Sequence, residues 1–160
     1  MITLKPFKSE DVENAVQLLT DEKVKETYML PDFEKKEHVI ALFERLKELS
    51  YQESRFVRGV YLDDELIGLV NDVEIEGDKL EIGYAICSLY HNLGYGTEIL
   101  KIALAQLIER GFSEIKAGAF IENPASTRIM EKAGMTRIDY TDEVEYRGKV
   151  HKCIYCIYKK

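Results

Sequence analysis

The feature that most restricts the fold of this chain is a change of hydrophobic period in its middle third. Residues 55–62 (RFVRGVYL), 65–76 (ELIGLVNDVEIE) and 79–86 (KLEIGYAI) alternate in the manner of strands, with successive side chains on opposite faces. Only two residues separate each from the next, Asp63-Asp64 and Gly77-Asp78. A two-residue connection closes an antiparallel hairpin and is far too short for a parallel crossover. The sequence therefore predicts a three-stranded antiparallel meander, around which the rest of the chain must be arranged.

The flanking segments carry the helical period instead. After a short strand, ITLKPF, residues 9–19 place Val12, Ala15, Val16 and Leu19 on one face, with Ser9 as the expected N-cap. Residues 33–50 repeat the pattern with Val39, Leu42, Phe43, Leu46 and Leu49, and the loop before them holds exposed-looking Tyr28, Met29 and Leu30. Beyond the meander, residues 97–111 form a third amphipathic stretch through Ile99, Ile102, Ala103 and Leu107, stopped by Gly111. A strand, SEIKAGAF, then leads to a short helix with Asn123 as N-cap, Pro124 at its first position and Gly134 at its end. Residues 135–160 read as two or three strands with a hairpin at Arg147-Gly148. This order predicts one α+β (mixed α/β) domain over residues 1–160, with a central, mostly antiparallel sheet and helices on its faces. No repeat, low-complexity tract or linker divides it.

Charge and cysteines narrow the function classes. Twenty-nine acidic residues against 22 lysines and arginines leave a net charge of -7, which argues against a general nucleic-acid binder and agrees with a cationic partner. Three cysteines and no signal-peptide pattern at the start predict a reducing, cytoplasmic setting. No apolar run approaches the roughly 20 residues that span a bilayer, so no membrane association is expected. Cys153 and Cys156 form a C-x-x-C, but on an alternating strand residues three apart face opposite ways. With no second pair to complete a zinc site, the expectation is no metal and two strand cysteines, one of them in the core.

The stretch HNLGYGTEIL, residues 91–100, sets Gly94 and Gly96 in front of the third helix. A strand that ends at Ile86 and enters a helix through such a loop aims free N–H groups and the positive helix end at one point, where a diphosphate would be held. A dinucleotide fingerprint would need a glycine where Ile99 stands, and a Walker loop would need a lysine where Thr97 stands. What remains is a phosphate loop made of backbone amides alone.

IGYAICSLYHNLGYGTEIL followed by ENPASTRIMEKAGM resembles the coenzyme A-binding core of the Gcn5-related N-acetyltransferases (GNAT), and within them the branch of ribosomal-protein N-terminal acetyltransferases. The family's Q/R-x-x-G-x-G/A loop stands here as His91, Asn92, Leu93, Gly94, Tyr95, Gly96, with histidine at its first position. The second motif matches at Asn123, Ser126, Arg128, Glu131, Lys132, Gly134 and Met135. The resemblance implies a twisted sheet of about seven strands and acetyl transfer from acetyl-CoA to a primary amine by direct attack on the thioester. The pantetheine arm would lie along Ala85, Ile86 and Cys87, and the pyrophosphate on residues 93–97. Asn123, Ser126, Arg128 and Lys132 would complete the coenzyme site.

Many relatives carry a tyrosine four residues after Ser126, where this chain has Met130; the resemblance therefore puts Ser126 beside the leaving thiolate. Glu145 and Glu81 are the expected bases. The acceptor, a protein N-terminus or a small amine, would meet Tyr28, Met29 and Tyr146, although the apolar residues 28–30 suit a core or a homodimer contact equally well. The alternative is a coenzyme-binding regulatory domain without catalysis, made thinkable by His91 and Met130.

Overall fold

The structure is a computed structural model that describes all 160 residues. The meander forms as the two-residue connections require. Strands β2 (Val57–Leu62), β3 (Glu65–Glu76) and β4 (Lys79–Ile86) follow one another in the sheet, and Asp63 and Gly77 take the left-handed conformation (φ 56° and 62°) that such tight turns need. β1 (Ile2–Lys5) pairs antiparallel with β2, from Ile2↔Leu62 to Lys5↔Gly59. At the other end of the chain β6 (Thr136–Tyr146) and β7 (Lys149–Lys159) form the hairpin expected at Arg147-Gly148, both residues having positive φ.

The complete sheet has seven strands in the order β1-β2-β3-β4-β5-β7-β6, where β5 is Glu114–Phe120. Its one parallel ladder joins β4 to β5, and the crossover between them contains the long helix α4 (Tyr95–Glu109), as a parallel connection demands. The remaining helices are α1 (Val12–Leu19), α2 (Glu22–Lys25), α3 (Lys36–Ser50) and α5 (Pro124–Lys132). This is the mixed α/β, mostly antiparallel architecture expected.

Contacts divide the chain into two units, Met1–Asp72 with Tyr84–Tyr95, and Val73–Gly83 with Gly96–Lys160. In the first, α1 and α3 pack on each other, and Phe7, Leu19, Phe43, Val57, Tyr61 and Leu69 form the core, Phe7 meeting Phe43 edge to face. In the second, α4 buries Ile99, Leu100, Ala103, Leu104 and Leu107, and α5 packs on β5, β6 and β7 through the fully buried Met130.

Several local expectations are corrected. Ser9 does not cap the first helix: the Lys8 N–H is taken by the Asp11 carboxylate (2.8 Å), while Ser9 accepts from Lys47. The short α2 escaped the periodicity because four residues hold barely one turn; Asp21 caps it by accepting from the Lys23 N–H (3.1 Å). Leu30 is buried rather than exposed, and α4 begins at Tyr95, two residues earlier than expected. Cys153 and Cys156 are both buried, free thiols, because β7 is an interior strand covered on both faces.

Candidate active site

In the first unit the end of β4 is tied down from several sides. The Cys87 N–H donates to the Ile67 carbonyl (2.8 Å), and Gly68 passes so close that a Cβ there would lie 2.4 Å from the Ala85 oxygen. Asp21 accepts from the Ser88 N–H (2.8 Å). Burial pushes the Asp21 carboxyl up, but hydrogen bonds from Ser88, Lys23 and Val24 outweigh it and hold the group below the usual carboxylate range.

His91 is bonded within its own loop. Its Nε2 lies 2.7 Å from the Ile86 carbonyl, and since a carbonyl can only accept, Nε2 carries the proton. The ring thus ties the loop back to the end of its own strand. Asn92 and Gly94 then both adopt positive φ (63° and 82°), and α4 starts at Tyr95. As at the start of any helix, the N–H groups of the first turn of α4, from Tyr95 on, have no partner within the helix. Left-handed residues alternating with ordinary ones turn successive N–H groups toward one side, a concavity suited to an anion.

The two glycines do different work. Gly94 is needed for its conformation, and nothing lies within 4 Å of where its Cβ would be. Gly96 is helical and buried; a Cβ there would meet Ile129 Cδ1 at 2.7 Å, so it serves the packing of α4 against α5. Of the residues assigned to the acceptor in this unit, Met29 is exposed, whereas Tyr28 is half-buried against the core and its hydroxyl donates to Asn71 (2.7 Å).

In the second unit Asn123 stands at the N-cap position of α5 with Pro124 after it, but its side chain makes no capping bond; only its N–H is used, to Phe120 O (2.9 Å). Ser126 is half-buried one turn into the helix, and Arg128 and Lys132 are exposed. Met130 is 0% exposed, so the position of the usual tyrosine belongs to the core here.

The two candidate bases have unlike surroundings. Glu145 is exposed on edge strand β6. Glu81 is half-buried on β4, next to Lys116 in the parallel ladder, with Lys116 Nζ 3.7 Å from Oε1. Burial raises the Glu81 carboxyl above its ordinary value; Lys116 opposes this, and Glu74 and Asp142 add to it. Lys116 Nζ also lies 5.1 Å from the Tyr155 ring centroid and 5.9 Å from that of Tyr140. Tyr146, expected at the acceptor, lies beside Phe120 and His151, and the His151 ring stacks on Phe120 while its Nδ1 bonds Glu122. Lys116, Tyr155, Tyr140 and His151 were not found from sequence; only the strand register, which no motif encodes, brings them beside the predicted residues.

Residues 1–136 match the family model described as Acetyltransferase (GNAT) domain. A curated relative, the uncharacterized N-acetyltransferase YoaA of Bacillus subtilis (strain 168), is 28% identical over 142 residues, 85% of this chain and 80% of that protein. Among solved structures, the Salmonella typhimurium acetyltransferase that modifies the N-terminal serine of ribosomal protein L7/L12 has a TM-score of 0.84 at 14% identity, covering 99% of this chain and 95% of its own. Spermidine N-acetyltransferase from Vibrio cholerae, in complex with CoA and spermine, reaches 0.83 at 17% identity, with 99% and 95% covered. At such identities the likeness is one of fold, and the two neighbours differ in the acceptors they are described with. With the family model spanning 136 of 160 residues, the chain belongs to the GNAT family and is an acetyltransferase.

Proposed function

We propose that this acetyltransferase transfers the acetyl group of acetyl-CoA to a primary amine, either a protein N-terminus or a small molecule. The observation that carries the reading is the loop from Cys87 into α4, in which left-handed Asn92 and Gly94 lead directly into the open N-terminal turn of a long helix, an arrangement suited to an anion. Residues 93–97 would grip the pyrophosphate. The pantetheine would run along the end of β4, where the ladder with β5 covers only Lys79–Ile82 of Lys79–Ile86. There the Cys87 N–H is already given to Ile67, and the Ile86 carbonyl keeps one lone pair beside His91. Asn123, whose side chain is not spent on capping, is suited to a pantetheine amide.

When bound, acetyl-CoA supplies an activated acyl group and a thiolate leaving group. The chain must then take a proton from the acceptor ammonium and stabilise the departing sulfur. Ser126 takes the second role, since Met130 offers no proton. Glu81 suits the first better than Glu145: a half-buried carboxylate with a raised pKa is a stronger base near neutrality than a fully solvated one. Met29 and Tyr146 remain as acceptor contacts, with Tyr28 as wall.

Thermal shift with acetyl-CoA, CoA, ATP and NAD tests the coenzyme: stabilisation by the first two is expected, and a response to ATP or NAD without CoA defeats the reading. Thiol release with N-terminal peptides, polyamines and aminoglycosides then identifies the acceptor class. Ser126→Ala should lower turnover more than coenzyme affinity; unchanged turnover removes Ser126 from the mechanism.

A further inference from the structure

We propose that Lys116, held between the Glu81 carboxylate and the rings of Tyr155 and Tyr140, is a positioning residue that keeps Glu81 ionised, and so able to act, further into the acid range at the expense of acceptor binding. The inference rests on the reading of Glu81 as base, and its geometry lies wholly in the second unit.

The parallel ladder pairs Glu81 directly with Lys116, so both side chains leave the sheet on one face. The ammonium of Lys116 is then fixed from three sides, by Glu81 Oε1 at 3.7 Å, Tyr155 at 5.1 Å and Tyr140 at 5.9 Å. Tyr155 can lie where it does because its partner across the ladder is Gly118: a Cβ there would sit 2.6 Å from Tyr155 Cε1. Tyr140 comes from the register break of β6 between Arg137 and Thr141, and its ring is 5.5 Å from that of Tyr155. A glycine and a strand irregularity thus both serve to seat one lysine. The charged and titratable groups around Glu81 are Glu74 from β3, Lys116 from β5, Asp142 and Tyr140 from β6, and Cys153 and Tyr155 from β7. Lys79, two residues before Glu81 on the same face of β4, is a further cation, but Lys116 is the one that the carboxylate touches.

A fixed positive charge beside Glu81 acts twice. It favours the ionised carboxylate, the form that can accept a proton, and it disfavours a second ammonium nearby. The first keeps Glu81 ready to take a proton at acidities where it would otherwise already carry one, although it makes the carboxylate a weaker base, and the second loosens the acceptor's own proton. In the step itself an N–H bond of the acceptor ammonium breaks and its proton passes to Glu81, the freed lone pair attacks the thioester carbon, and as the C–S bond breaks the nitrogen's remaining surplus proton goes to the departing thiolate by way of Ser126. The same charge weakens the docking of a cationic acceptor. Lys116 should therefore raise both kcat below neutral pH and KM, a split that a purely structural ion pair does not produce.

The test compares the wild-type chain with Lys116→Met, Lys116→Gln and Lys116→Arg, each checked for an unchanged melting transition. Carbon-13 NMR of the Glu side-chain carboxyls, assigned with Glu81→Gln, reads the Glu81 titration without any substrate. The Met and Gln variants should move its midpoint upward by about one pH unit and the Arg variant should not; an unmoved midpoint overturns the inference. With acetyl-CoA and spermidine or a serine-terminated peptide as acceptor, Lys116→Met should move the acidic limb of kcat upward and lower KM severalfold. A KM that rises instead also overturns it. If Glu81→Gln leaves that acidic limb intact while the NMR midpoint still moves, Lys116 tunes Glu81 but the assignment of Glu81 as base is what fails.

Discussion

Under the proposed reading, the coenzyme end and the acceptor face are built from different materials. Between Cys87 and Thr97 the working groups are main-chain N–H donors, and side chains contribute shape: Gly94 by its conformation, Gly96 by its size, His91 by bonding Ile86. Around Glu81 the working groups are side chains, and the backbone contributes only register, setting Glu81 beside Lys116 and Gly118 beneath Tyr155. A backbone-built site tolerates exchange of its exposed side chains and fails when the chain path changes. A side-chain-built site keeps its path and fails when a charge changes.

Substitutions can break this contrast in a definite order. The largest effect belongs to Gly68→Ala, whose new Cβ would press within 2.4 Å of the Ala85 backbone oxygen, an atom that cannot swing aside. A loss of about 3 kcal/mol in chemical denaturation is expected, with coenzyme binding lost alongside. Glu81→Gln comes next, lowering kcat by about 100-fold while leaving the melting temperature and coenzyme affinity unchanged. Its pH profile carries the sign. Because burial lifts the Glu81 carboxyl, activity should fall with acidity at a pH above the ordinary carboxylate range, and that limb should vanish in the glutamine variant.

Gly94→Ala forces a Cβ into a left-handed residue at a cost of about 1–2 kcal/mol, and should weaken acetyl-CoA about tenfold in calorimetry with kcat at saturation preserved. Gly96→Ala sharpens the comparison, since it meets the tip of Ile129. About 1 kcal/mol of stability should be lost, coenzyme affinity should change little, and Ile129→Val should restore the loss by removing Cδ1. Smallest is Glu145→Gln, on exposed edge strand β6, for which turnover within twofold is expected.

The same contrast explains what the sequence disclosed. Glycines at fixed spacing, a proline at a helix start and two-residue turns are local signals, so the meander, the loop into α4 and the start of α5 were legible residue by residue. So were the positive-φ stops at Gly111 and Gly134. Pairings between distant strands leave no such trace. Lys116 is 35 positions from Glu81, and nothing in KLEIGYAI or SEIKAGAF fixes which residues stand side by side until the parallel ladder is known. Burial was misread wherever both faces of an element are covered, as in the four consecutive buried residues 153–156 of β7. The packing of Gly96 against α5 left no trace for a related reason: its neighbour Ile129 lies 33 positions away.

The bond from His91 to Ile86 has a consequence for how the enzyme would respond to its surroundings. Because both partners belong to the chain, the path of the loop is set before any ligand arrives. The entropy of shaping the loop is met once, as the chain folds, and not again in every turnover. One ring bond thus fixes in advance how the chain passes from strand to helix.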